Sequence, residues 1–137
     1  MSSTTGDIKI RILIVDDEPD VLLGLNALLV GQGHSVKTFD RPSLALGEIL
    51  TKATQYDLLI TDYRMPGGIS GLDLAKQAKT RSRGKTKVFL MTAFDVSSLP
   101  EFSEALKLQM IDEIVQKPVP NDKLIATIEK SFLHNNH

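Results

Sequence analysis

IKIRILIVDDEPD, residues Ile8 to Asp20, places isoleucine at positions 8, 10, 12 and 14, with Leu13 and Val15 filling the opposite face. A period of two with both faces apolar predicts a strand buried on both sides, as in a parallel sheet covered by helices. Asp16 ends the apolar run. Pro19 then opens a segment in which Val21, Leu22, Leu25, Leu28 and Leu29 recur at helical spacing, up to Gly31 and Gly33, where glycine can terminate a helix. The same strand-then-helix unit repeats along the chain. Ser35 to Phe39 predicts a second strand, and Leu46, Ile49, Leu50 and Ala53, after Pro42, line a second helix. Leu58, Leu59 and Ile60 predict a third strand ending at Asp62, followed by a helix lined by Leu72, Ala75 and Ala78. Val88 to Met91 predicts the fourth strand, and Leu99, Phe102 and Leu106 line the fourth helix. Ile111 to Val115, followed by Leu124, Ile125, Ile128 and Phe132, completes five units.

Strict βα alternation with short connections requires parallel strands joined by right-handed crossovers, so the helices cover both faces of an open sheet. The expected fold class is α/β: a doubly wound five-stranded parallel sheet, strand order 2-1-3-4-5, flavodoxin-like (βα)5. At 137 residues the chain has room for one domain, and its 42% hydrophobic content supplies a core without disulfides. That domain is expected over residues 8–133, with flexible termini at 1–7 and 134–137. The absence of cysteine excludes thiolate metal sites, redox pairs and thiol nucleophiles. A net charge of -1, from 16 basic and 17 acidic residues, gives no overall field to attract nucleic acid or an anionic membrane. With no signal-like apolar run and no membrane-spanning stretch, the expected location is cytoplasmic.

In such sheets ligands bind beyond the carboxyl ends of the strands, which directs attention to Asp16, Asp17, Asp62, Thr92 and Lys117. Three of these are carboxylates from the first and third strands, neighbours in the order 2-1-3-4-5. Two like charges about 4 Å apart at an effective dielectric near 20 repel by about 4 kcal/mol, so the cluster should hold protons or recruit a cation. Carboxylate oxygens without nearby His or Cys suit Mg²⁺ or Mn²⁺. Lys117 adds a positive charge and Thr92 a hydroxyl, the groups needed to neutralise and orient a phosphoryl group on Asp62.

These residues lie in ILIVDDEPD (Ile12 to Asp20), DLLITDYRMPGG (Asp57 to Gly68), GLDL (Gly71 to Leu74), MTAF (Met91 to Phe94) and QKP (Gln116 to Pro118). In that order they make the chain, from Lys9 to Leu133, resemble the receiver domain of two-component response regulators. The resemblance implies that Asp62 accepts a phosphoryl group from the phosphohistidine of a sensor histidine kinase or phosphotransfer protein, with Mg²⁺ bound. Asp17, Asp62 and the backbone carbonyl of Arg64 would ligate the ion, and Asp16 would act mainly through water. Thr92 and the Ala93 N–H would hold phosphoryl oxygens, Lys117 would pair with their charge, and Pro118 would follow a cis peptide bond aiming Lys117 inward. Arg64 and Phe94 occupy positions that tune dephosphorylation. Output would go to a downstream protein or output domain, with no direct nucleic-acid or membrane contact. The fourth helix, fifth strand and fifth helix form the family's usual partner and homodimer face. The chain would be a signalling switch and not an enzyme acting on free substrate.

Two departures alter the expectation. Four residues, Gly67 to Ser70, separate Pro66 from Gly71, one more than the family pattern, so a bulged loop is expected beside the site. Ile114 stands where most receivers carry a switching Tyr or Phe, so output would be read by repacking of an aliphatic side chain. The alternative function is a degenerate receiver acting as a phosphorylation-independent interaction module. A flavodoxin-like cofactor binder is disfavoured because DDEPD opposes phosphate, and an aspartyl phosphohydrolase because its nucleophile would follow the first strand. Taken singly, Asp17 reads as a helix N-cap, Asp62 as a turn residue, Lys117 as a solvated charge, and His34 as solvent-exposed. Met65, Met91 and Met110 read as core filler.

Overall fold

A computed structural model describes residues 8–93, 95 and 99–133. Five strands, β1 (Arg11–Val15), β2 (Ser35–Phe39), β3 (Leu58–Asp62), β4 (Lys87–Thr92) and β5 (Glu113–Gln116), alternate with five helices. The helices are α1 (Pro19–Gly31), α2 (Pro42–Lys52), α3 (Gly71–Ser82), α4 (Pro100–Lys107) and α5 (Asn121–Leu133), and a single 3-10 turn, Ala53–Gln55, follows α2. All pairings are parallel, in the order β2-β1-β3-β4-β5. This is the doubly wound architecture that the alternation predicts.

The two faces of β1 divide the core. Ile12 and Ile14 pack with Ile60, Phe89 and Met91 against Leu22, Leu25 and Leu29 of α1 and Leu124 and Ile128 of α5. Leu13 and Val15 pack on the other side with Leu59 and Val88 against Ala45 and Ile49 of α2 and Leu74, Ala75 and Ala78 of α3. Four consecutive residues of β1 are therefore buried, each worth roughly 1.5–3 kcal/mol relative to exposure. A third cluster, Leu72, Leu90, Phe102, Ala105 and Ile111, seats α4 beside β4. Met91 is buried, while Met65 and Met110 pack at the edges of these clusters.

The structure shifts several boundaries. The first strand begins at Arg11, because the Ile10 N–H donates to the His34 side chain, Nδ1 at 3.2 Å, while the Ile10 carbonyl accepts from Ser35. His34 is thus half-buried and bonded, in contrast to the solvent exposure expected of it. Leu50 and Leu106, assigned by spacing to buried helix faces, are 39% and 44% exposed. The short α4 turns Phe102 inward, as its spacing predicts, together with Ala105, and Leu99 serves as its N-cap residue. Ile111 is buried just before β5.

Register brings the strand ends to one edge of the sheet. Val15 pairs with Thr61, Asp62 with Met91, and Thr92 with Gln116. Helix α3 starts directly against that edge under a capping box, in which Ser70 and Asp73 exchange side-chain and backbone hydrogen bonds. A Cβ on Gly71 would lie 2.3 Å from the Asp62 carbonyl oxygen, so only glycine permits this approach.

Candidate functional site

The sequence-predicted residues converge. Asp16 follows β1 and is fully buried, Asp17 is half-buried, Asp62 ends β3 at 9% exposure, and Thr92 ends β4 at 1%. One carboxylate oxygen each from Asp16, Asp17 and Asp62 lies within 4.8 Å of the others. Lys117 follows β5, its backbone N–H bonded to the Thr92 carbonyl at 2.8 Å. The Lys117–Pro118 peptide is cis, as the resemblance implies.

Lys117 is not a solvated charge. Its Nζ lies 2.9 Å from Asp16 Oδ2, 3.3 Å from Glu18 Oε1 and 3.6 Å from Asp62 Oδ1, and its side chain is 14% exposed. Burial works to lower its affinity for the proton, but the hydrogen bond to Asp16 and the charges of Asp16 and Asp62 outweigh it, holding the ammonium above the usual lysine range. Burial first, and then the Asp16 charge, push the Asp62 carboxyl up to about 6; Lys117 opposes this and Asp17 adds to it.

The two buried acids differ in what they leave open. Asp16 Oδ1 accepts from the Glu18 N–H at 2.9 Å and Oδ2 from Lys117, so both of its oxygens are engaged. Asp62 Oδ1 accepts from the Tyr63 N–H at 3.1 Å, whereas Oδ2 accepts no hydrogen bond among the described residues. The helix-cap reading of Asp17 fails, since the N-cap of α1 is Glu18, with no side-chain cap, and Pro19 starts the helix without needing an N–H partner. The donor set fits a hard divalent cation: Asp16, Glu18 and Asp62 share one ammonium, Asp17 adds a further carboxylate beside Asp16 and Asp62, and the clustered acids Asp16, Asp17 and Asp62 offer only oxygen.

The remaining candidates surround this cluster. Ala93 is exposed, and the exposed Arg64 sets its guanidinium 5.8 Å from the Tyr63 ring centre. Gly67 and Gly68 both adopt positive φ, 105° and 83°, in the loop where the extra residue was expected. Half-buried Ile114 packs on the third core cluster beside Tyr63, Leu99 and Met110. Phe94 lies outside the described residues.

Two contributors were missed in the sequence. Glu18 joins the Lys117 network, a role that its place in DDEPD hints at. Tyr63, next to Asp62, donates its hydroxyl to Glu101 Oε2 at 2.6 Å and meets the Phe102 ring edge-on, centroids 4.7 Å apart at 73°. It thereby ties the loop after β3 to α4. The only sequence signal was an aromatic directly after a strand-end acid.

Comparison with known proteins gives concordant matches. The family model of the response regulator receiver domain matches residues 12–129. The transcriptional regulatory protein ZraR of Escherichia coli K12 is 34% identical over 126 residues, covering 92% of this chain and 27% of ZraR, so the chain spans about a quarter of that relative's length. Response regulator RppA of Synechocystis is 32% identical over 118 residues, 86% of this chain and 48% of RppA. The solved structure of response regulator TrrA from Thermotoga maritima, in complex with Mg(2+)-BeF, superposes with a TM-score of 0.71 at 32% identity, covering 88% of this chain and 97% of that one.

Proposed function

Because this chain belongs to the response regulator receiver domain family, we propose that it is a signalling switch in which Asp62 accepts a phosphoryl group from the phosphohistidine of a sensor histidine kinase or phosphotransfer protein. The carrying observation is the asymmetry of Asp62. Its Oδ1 is held by the Tyr63 N–H beside the Lys117 ammonium, while Oδ2 accepts no hydrogen bond among the described residues. Oδ2 attacks phosphorus; the P–N bond breaks as the P–O bond forms, and the imidazole leaves with a proton from solvent. Lys117, the Thr92 hydroxyl and the Ala93 N–H face the charge of the resulting mixed anhydride.

Asp17, Asp62 and the Arg64 carbonyl would hold Mg²⁺, with Mn²⁺ as a substitute, and the ion supplies charge neutralisation and alignment of phosphoryl oxygens. Asp16, with both oxygens already accepting hydrogen bonds, would act at one water's remove. Arg64 and Phe94 would control water access to the anhydride, and Ile114 would carry the change toward α4, β5 and α5, the face for an output domain, downstream protein or second copy. The domain would comprise residues 8–133 and act in the cytoplasm, without turnover of a free substrate; no helix among the described residues is long and apolar enough to cross a membrane.

The test is intact mass after incubation with Mg²⁺ and acetyl phosphate, beside Asp62→Asn and a chelated control. A single phosphoryl adduct dependent on both Asp62 and Mg²⁺ is expected. No adduct, with Mg²⁺ still bound, would replace this reading with the phosphorylation-independent module.

A further inference from the structure

At the opposite end of the sheet from Asp62, a groove of about 860 Å³ opens where the end of α3, the start of β4 and the end of α4 meet. Its volume falls within the range of roughly 300–1,000 Å³ typical of ligand clefts. Lys79, Lys85 and Lys87 line it together with Leu106, Leu108 and Asp112. We propose that this groove docks an acidic, leucine-bearing peptide segment of a partner protein.

Charge complementarity carries the argument. Between Asp73 and Asp95 the chain has six basic residues, Lys76, Lys79, Arg81, Arg83, Lys85 and Lys87, and no acid, in a protein whose net charge is -1. The one acid lining the groove is already satisfied: Asp112 Oδ2 accepts from Lys79 Nζ and from the Val88 N–H, each at 2.7 Å. Among the described residues, Lys85 and Lys87 have no carboxylate within salt-bridge distance. A ligand bringing carboxylates therefore meets positive charge that the protein itself does not neutralise.

The apolar wall selects among anions. Leu106 and Leu108 are 44% and 60% exposed on α4 and just beyond it, where burial by a partner is worth more than contact with water. Phosphate backbones have no use for leucine, which disfavours nucleic acid. A second copy presenting the same face would set lysine against lysine. Residues 1–7 contain one acid and residues 134–137 none, too few to answer this positive charge. Gln109, which lines the groove, holds a left-handed backbone (φ 60°), keeping a long polar side chain where glycine would relieve strain.

The site is separate from the acidic cluster. Six-residue β4 runs from Lys87 at the groove to Thr92 at the cluster, about 17 Å at the usual rise of a strand, so an occupant leaves Asp62 uncovered.

The test is titration of the ¹⁵N-labelled chain with a short synthetic peptide of glutamate and leucine. Amide shifts should saturate and concentrate in residues 79–87 and 106–112. Lys85→Glu/Lys87→Glu and Leu108→Ser, all at partly or fully exposed positions, should each weaken binding at least about tenfold. Three further probes are a peptide with serine in place of leucine, a single-stranded oligonucleotide and phosphatidylglycerol vesicles, each expected to bind more weakly. Absence of saturable shifts, equal binding of the serine peptide, tighter binding of the oligonucleotide or vesicles, or indifference to Leu108→Ser would each overturn the proposal.

Discussion

In the metal-free protein, Asp62→Asn should be more stable than the parent at neutral pH. Burial and the charges of Asp16 and Asp17 raise the Asp62 carboxyl from 3.8 to about 6, with Lys117 offsetting part of the effect. The folded chain therefore binds this proton more tightly than the unfolded chain does. Stability falls as pH rises through the window from about 4 to 6, and the full penalty is present above it. A rise from 3.8 to about 6 corresponds to at most about 3 kcal/mol at about 1.36 kcal/mol per pH unit, and solvent at the rim of the site reduces this to about 1–2 kcal/mol. Asparagine keeps the shape of the side chain, leaves the Asp16–Lys117 pair in place and removes the repulsion. Urea unfolding of both proteins in a chelator, at pH 7.5 and again below pH 3.8, measures the difference, in which titrating groups away from Asp16, Asp17 and Lys117 cancel. The gain should be present at the higher pH and vanish at the lower one. Mg²⁺ should then stabilise the parent more than the variant. Equal stability at pH 7.5, or a gain unchanged at low pH, would refute the electrostatic reasoning.

Lys117→Met should destabilise the fold by about 3–5 kcal/mol, because it strands the fully buried Asp16 charge; adding Asp16→Asn should recover most of the loss in thermal melts, and no recovery would mean that the lysine stem, not its charge, is what matters. Gly71→Ala places a Cβ 2.3 Å from the Asp62 carbonyl and should cost about 1–3 kcal/mol while slowing phosphoryl uptake, both read on one preparation; a neutral effect would contradict the close approach. The His34 imidazole is held below its ordinary 6.5 by burial and by Lys9, so the unfolded chain binds the proton more readily. Its contribution is present above pH 6.5 and lost as pH falls, and His34→Gln should flatten the acid side of the stability profile. Arg64→Ala should shorten the lifetime of the acyl phosphate, followed by mass after donor removal, and unchanged decay would remove Arg64 from the control of water access.

Much of this was legible in the chain itself. The period of two in Ile8 to Val15 and the five βα units specify a parallel sheet covered on both faces, because backbone periodicity determines which side chains can reach a core. Strand-end residues could be named for the same reason, since an apolar run must stop where the sheet meets water. Local pattern was weaker where one short element meets several neighbours. Leu50 and Leu106 have helical spacing but face solvent, and α4, only eight residues long, presents Ala105 to the core beside the expected Phe102. Ile10 fits the strand pattern, yet its N–H goes to His34, 24 residues away.

The sequence alone determined the fold class, the carboxylates and their order along the chain. Tertiary structure decided how those groups pair. Lys117 reaches Asp16 across 101 positions, Glu18 joins that network, Tyr63 locks onto α4 through Glu101 and Phe102, and Lys79, Lys85 and Lys87 come to line one groove with Leu106 and Leu108. Periodicity records which face of an element is buried. Contacts between distant elements depend on strand register, and register is settled only when all the faces are packed together.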